Sequence, residues 1–303
     1  MPDFEVLPPG SGLPRGQRPP DAGNPPAYGN PPGMPPGPAP GSFDPRQPPG
    51  AKQQRKGIAG AVMVALVALA KFKFFLFPAL KTGISMFLMI WVYSMLYGWP
   101  FAAGFVILIF VHEMGHVIAA KLLGMPVSAP LFIPFVGAAI FMKENPRDAW
   151  SEALMAYGGP LAGATGGWAC YALALETNAP WLMAVASATF VINLFNMIPI
   201  PPLDGGRICA AVSTWFWFLG LILLGVAVYY FHGGASIIIM ILVLFYALPR
   251  IKQTFLQRSS PEMQAYYSTH LVDRFTMAMF YLGLIAILLY GYWRANAYLH
   301  PTY

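Results

Sequence analysis

Long apolar runs, separated by short polar or turn-forming segments, make up most of the chain after residue 57. About 20 apolar residues in a helix cross the ~30 Å hydrocarbon core of a bilayer. The pattern therefore predicts an all-α polytopic membrane protein, a bundle of about six to eight transmembrane helices. The runs that predict these helices are 82–99, 101–124, 150–176, 181–198, 208–231, 235–248 and 275–293.

Two further stretches fit this pattern less simply. Residues 58–70 are apolar but short, and Lys71 and Lys73 follow. The sequence leaves open whether 58–80 forms a tilted span or an interfacial segment. Residues 126–142 are apolar but contain three prolines, which break helices. They predict a short re-entrant, β-like hairpin, whose irregular backbone must be shielded by protein at membrane depth.

The N-terminal segment has a different composition, since it holds more than half of the 31 prolines of the chain. It predicts a disordered Pro/Gly-rich tail over residues 1–56, followed by a membrane-embedded domain over 57–303. The first residues lack the basic and apolar regions of a cleavable signal peptide. The proline pairs could bind a proline-recognising partner, although a solvated tether is the simpler interpretation.

Composition and charge agree with a membrane protein. The chain is 57% hydrophobic and only 10% charged, whereas soluble domains are nearer a quarter charged. Its net charge of +6 does not indicate nucleic-acid binding, because the basic residues lie in the tail and between apolar runs. In the predicted topology these residues share the cytoplasmic side, as the positive-inside rule expects: Lys121, Lys143, Arg147, Arg207, Arg250, Lys252 and Arg258. Cys170 and Cys209 predict no disulfide framework.

The main candidate for chemistry lies inside the second run. His112 and His116 are four residues apart, so a helix would place both imidazoles on one face. With Glu113 they form the H-E-x-x-H pattern, in which two histidines ligate zinc and the glutamate acts as general base on an activated water. Three polar residues satisfied by their neighbours are the alternative. Ionisable groups at membrane depth cost free energy, which favours the metal site.

Zinc held by two histidines needs at least one more protein ligand and an open position for water. Glu144, Asp148 and Glu152 have charged neighbours and are predicted to be solvated. Asp204 follows a proline-rich segment and opens the next helix, on the same side as the end of the motif helix. It is the favoured third ligand, and a helix N-cap is its alternative role.

The two motifs together resemble the site-2 protease family of intramembrane zinc metalloproteases. The resemblance rests on His112-Glu113-x-x-His116 and on Asn196-x-x-Pro199-x-Pro201-x-Leu203-Asp204-Gly205, and it covers roughly residues 82–250. It implies a compact member without a PDZ domain, with one zinc ion per chain on His112, His116 and Asp204. It also implies Glu113 as the base, and Asn196 as the residue that orients substrate or stabilises the oxyanion.

The predicted function is hydrolysis of peptide bonds within or next to transmembrane segments of membrane proteins. A non-proteolytic membrane scaffold, or a pseudoprotease that binds transmembrane segments, is the alternative. A metal carrier is a third option, but His232, His270 and His300 form no series of ligands along a path. The expected partners are membrane-protein substrates and the lipid bilayer, and the expected location is the bacterial inner membrane.

Gly159, Gly163 and Gly167 recur every four residues, which predicts close helix packing.

Overall fold

The structure is a computed structural model that describes residues 51–135, 137–140, 142, 144–230 and 234–300, with the backbone alone at 51–62, 65–75 and 234–236. The chain divides into two compact units, Met1–Val62 and Met63–Tyr303, and the second contains the candidate site. The predicted disorder of residues 1–50 lies outside the described residues, and so does His232. The prediction is wrong for residues 51–56, which already belong to the first helix.

The described residues are mainly helical, as the apolar runs predicted. The helices are α1 (Ala51–Tyr97), α2 (Trp99–Leu122), α3 (Ala149–Thr177), α4 (Pro180–Asn196), α5 (Asp204–Val212), α6 (Phe216–Tyr230), α7 (Gly234–Leu256), α8 (Pro261–Tyr266) and α9 (Leu271–Leu299). Among the described residues, four helical stretches are long and apolar enough to cross a membrane: Leu76–Tyr97, Trp99–Leu122, Ile237–Leu256 and Leu271–Leu299. This supports an integral membrane protein, but it does not confirm a count of six to eight spans.

The predicted span over 208–231 is wrong, because α5 and α6 are separate helices. Ser213 ends α5 in an extended conformation, and its hydroxyl accepts a hydrogen bond from the Trp215 backbone N–H (3.4 Å). Serine side chains compete in this way with the helical hydrogen bonds of the backbone. The buried Trp217 indole then donates to the Gly206 carbonyl (2.8 Å), which holds the first turn of α6 against the start of α5.

Helix α3 occupies the centre of the second unit, where it packs against α2, α4, α5 and α9. Its glycines make this packing close, as the spacing predicted. A Cβ atom at Gly159 would overlap the His116 ring, and one at Gly163 would overlap the Asn193 side chain. Gly115 of α2 and Gly158 of α3 face each other, and a Cβ atom on either glycine would overlap the backbone of the other. The helix thus reaches the motif residues without side chains between them.

The predicted hairpin is present as two short antiparallel strands, β1 (Leu131–Ile133) and β2 (Gly137–Ala139), with Phe132 opposite Ala138. Gly137 has a φ of 111°, a left-handed conformation that favours glycine. The hairpin is fixed to α1, because the Thr82 hydroxyl donates to the Pro130 carbonyl (2.7 Å). The Phe132 N–H also donates to the Ser85 hydroxyl (3.2 Å). Its depth in the bilayer stays a prediction.

Candidate metal centre

The three predicted ligands lie together. His112 and His116 are one turn apart on α2, and their Nε2 atoms are 3.1 Å from each other. Asp204, the first residue of α5, places its Oδ2 atom 3.2 Å from Nε2 of His112 and 3.3 Å from Nε2 of His116. Within the described part of the chain, these residues form a group that could hold a metal ion.

The hydrogen bonds behind each ring fix which nitrogen faces the site. Nδ1 of His116 donates to the backbone carbonyl of Met155 on α3 (2.9 Å). Nδ1 of His112 is 2.9 Å from Oδ1 of Asn193, whose amide group donates to the Thr189 carbonyl (2.8 Å). That second bond orients Oδ1 of Asn193 as the acceptor, so His112 also carries its proton on Nδ1. In the neutral rings, both Nε2 lone pairs therefore point toward Asp204.

This donor set fits zinc. With both rings neutral, two lone pairs and a carboxylate oxygen converge, and such acceptors repel one another unless a cation lies among them. Zinc bonds of about 2.0 to 2.1 Å in a tetrahedron separate ligand atoms by roughly 3.3 to 3.4 Å. The observed separations of 3.1, 3.2 and 3.3 Å are close to that value. Two histidines and one carboxylate also leave a fourth position for substrate or water.

Glu113 lies directly beside this group, next to His112 in sequence and buried at 7% exposure. A buried carboxylate on the same helix as two candidate ligands is suited to proton transfer.

Asp204 reaches the histidines because it is the first residue of α5 and two glycines follow it. The N-cap position is Leu203, so the alternative role of Asp204 as an N-cap does not apply. Gly205 and Gly206 lie against the backbone of the preceding segment, where a Cβ atom would overlap Met197 and Ile200. The glycines thus allow the first turn of α5 to lie directly on the proline-rich segment that delivers the carboxylate.

Sequence reasoning missed Asn193, the residue whose side chain contacts His112. Asn196, which the resemblance selected, is half-buried and makes no side-chain hydrogen bond within the described residues, and its predicted role is untested. A signal for Asn193 was present in the sequence. It is a buried amide in the last turn of an apolar helix, four residues after Thr189, and polar groups at such positions are costly unless they serve a purpose.

The prediction that Glu152 is solvated is wrong, since only 1% of it is exposed. Its carboxylate accepts hydrogen bonds from the Arg250 guanidinium (2.7 and 2.8 Å) and the Tyr266 hydroxyl (2.6 Å). The Arg207 side chain lies 3.8 Å away. Paired charges and hydrogen bonds offset the cost of burying this carboxylate.

The other acidic candidates take ordinary positions. Asp148 accepts a hydrogen bond from the Ser151 N–H (2.7 Å) and so caps α3. Glu144 is exposed, as predicted, and so is His270.

Neither cysteine forms a disulfide, which confirms the expectation for Cys170 and Cys209.

Comparison with known proteins agrees with this geometry. The model of Peptidase family M50 matches residues 100–179, a region that contains the His-Glu-His motif and all of α3 but ends before Asp204. A zinc metalloprotease of Methanocaldococcus jannaschii is 30% identical over 108 residues, which are 34% of this chain. The match spans about a third (31%) of that relative. These matches confirm the resemblance to the site-2 proteases and support metalloprotease chemistry.

Proposed function

We propose that this protein is an intramembrane zinc metalloprotease, which hydrolyses peptide bonds within or next to transmembrane segments of membrane proteins. One observation carries the proposal. Two imidazole lone pairs and the Asp204 carboxylate converge at zinc-ligand separations, beside the buried carboxylate of Glu113. The family match over 100–179 and the candidate membrane spans support it.

His112, His116 and Asp204 would hold the metal ion. Zinc, when bound, polarises a carbonyl group and makes water nucleophilic at neutral pH. Glu113 would take the proton from the attacking water and return it to the amine of the leaving peptide. Asn196 would donate a hydrogen bond to the developing oxyanion, an interaction worth on the order of 3 kcal/mol in other enzymes.

A transmembrane substrate must be locally extended before attack, because the carbonyl groups of a helix are already hydrogen-bonded and shielded. The hairpin formed by β1 and β2 would supply an edge to which an extended segment adds as a strand. A bacterial inner membrane as the location, single-span proteins as substrates and a proline-recognising partner for the tail belong to this proposal.

The first test is the metal content of the protein purified in neutral detergent. We expect about one zinc per chain in the wild type, since one site with three protein ligands is present. Asp204→Ala should lose most of the metal. Asp273→Ala is the matched control, because Asp273 lies in the first turn of α9 just as Asp204 lies in the first turn of α5.

The second test separates metal binding from catalysis. Glu113→Gln should keep its zinc but lose at least about a hundredfold in cleavage rate, the low end of a general base's contribution. Cleavage is measured on single-span reporter proteins co-reconstituted in liposomes, with the new termini identified by mass spectrometry. A wild type that binds no zinc when zinc is supplied would instead support the scaffold alternative. Full proteolysis by Glu113→Gln would contradict the assigned base.

A further inference from the structure

A second cavity, distinct from the metal centre, lies where the far end of α5 meets the ends of several other helices. Its volume is about 510 Å³, within the range of small-molecule sites. It is open on one side and is lined by the C-terminus of α5, the 213–214 turn, the end of α7 and the segment after it, α8 and the start of α9. Its polar and charged lining includes Ser213, Thr214, Arg258, Ser259, Ser268 and Arg274.

The cavity is positively charged. Two arginines line it, and none of the described residues that line it is an aspartate or glutamate. Arg274 donates from Nε to the Thr269 hydroxyl (3.2 Å) and from one terminal nitrogen to the Tyr267 carbonyl (3.4 Å). These two bonds fix the guanidinium but leave other N–H groups available. Arg258 is exposed and stacks over the Trp215 ring at 5.6 Å.

An apolar surface adjoins this basic cavity. Trp215, Phe218 and Phe255 pack together, with ring centroids 5.2 to 5.5 Å apart. Trp215 is 57% exposed and Phe218 42%. The cluster lies at the end of one candidate membrane span, Ile237–Leu256, to which Phe255 belongs. Exposed aromatic residues at the ends of spans are typical of the boundary between lipid and water.

We propose that this cavity binds the phosphate group of an anionic phospholipid, with Arg258 and Arg274 on the phosphate and the acyl chains along the Trp215 aromatic cluster. Guanidinium groups pair with phosphate through two parallel hydrogen bonds, and the hydroxyl groups of the cavity add further donors. A neighbouring basic pocket and aromatic surface fit an amphiphile better than a soluble ion. The site does not depend on the proposed proteolysis.

The test is native mass spectrometry of the full chain in neutral detergent, with phosphatidylglycerol or phosphatidylcholine added at equal concentrations. We expect one phosphatidylglycerol to be retained per chain, in preference to phosphatidylcholine, whose own cation compensates its phosphate. Arg258→Gln with Arg274→Gln should weaken retention about tenfold or more, as expected for lost charge-assisted hydrogen bonds. Lys252→Gln is the matched control, because it removes the same charge from an exposed position outside the cavity lining.

Arg274→Gln also removes two structural hydrogen bonds, so Arg258→Gln alone is measured as well. Its side chain is exposed, and its loss should weaken retention by several-fold without affecting folding. Inorganic phosphate is added as a competitor at the concentration of the lipid: retention of the lipid supports the proposal, whereas its displacement would show a site for the phosphate ion alone and overturn the lipid assignment. Equal retention of both lipids, or unchanged retention in the double variant, would overturn the proposal.

Discussion

Asn193 determines the orientation and tautomer of His112, although it is not a ligand in the candidate metal centre. Its amide is held by the Thr189 carbonyl and in turn holds Nδ1 of His112 at 2.9 Å. We therefore expect Asn193→Ala to lower zinc affinity by about 10- to 100-fold, the usual effect of removing a partner behind a metal ligand. Competition with a chromophoric chelator measures this affinity.

Asn196→Ala provides the matched comparison, because it removes the same side chain three residues away. Asn196 contacts none of the three ligand side chains through a described hydrogen bond, so zinc affinity should stay within about twofold of the wild type. Cleavage should nevertheless slow if Asn196 supports the oxyanion. Equal loss of zinc in both variants would show that the two amides act through general destabilisation of α4.

Some of these residue roles could be predicted from the sequence and others could not. His112, Glu113 and His116 were found because the helical period fixes their relation, and Asp204 because acidic residues are scarce in the apolar part. The acceptor for His116 is a backbone carbonyl, that of Met155, which no side-chain pattern reveals. Glu152 was misjudged because its partners Arg250 and Tyr266 are about 100 residues away in sequence.

At the level of elements, the glycines of α3 allow α2, the helix that carries His112 and His116, to pack closely against α3. Gly159→Ala would put a methyl group into the His116 ring, so we expect loss of zinc together with lower thermal stability. Overpacking of this kind costs about 1 to 3 kcal/mol. Gly283→Ala on α9 is the control, since no atom lies within 4 Å of the added methyl group. It should leave zinc binding unchanged and stabilise its helix slightly.

Hydrophobic patterns in the sequence predicted some helix boundaries accurately and missed others. They predicted α2, α3 and α4 to within about two residues, because each of these runs ends at a proline, a glycine or a polar pair. They joined α5 to α6, since the break at 213–215 contains only two small polar residues within an apolar run. The Trp217 indole bond to Gly206, which holds α6 against the start of α5, is a tertiary contact that periodicity does not encode.

At the scale of the whole second unit, Glu152 links helices that are distant in sequence. It belongs to α3, and its partners belong to α5, α7 and α8. Glu152→Gln leaves Arg250 without its countercharge. The carboxylate is buried but the Arg250 side chain is 35% exposed, so the cost should be below the roughly 3 kcal/mol of a fully buried pair. We expect a clearly lower unfolding midpoint in detergent, measured by circular dichroism.

Glu176→Gln tests the specificity of that effect. It makes the same substitution at the exposed end of α3, where changes are usually worth less than about 0.5 kcal/mol. Equal stability of the two variants would mean that the Glu152 cluster contributes nothing to holding α3, α7 and α8 together.

The hydrogen bonds on Nδ1 of His112 and His116 have a consequence for the protein without its metal ion. They come from α3 and α4, so the rings are held in position by the protein itself before any ion arrives. Zinc fingers, by contrast, unfold when their metal is removed. Here we expect a folded, dormant apoprotein: chelation should abolish cleavage, leave the helical circular dichroism signal intact, and be fully reversed when zinc is returned.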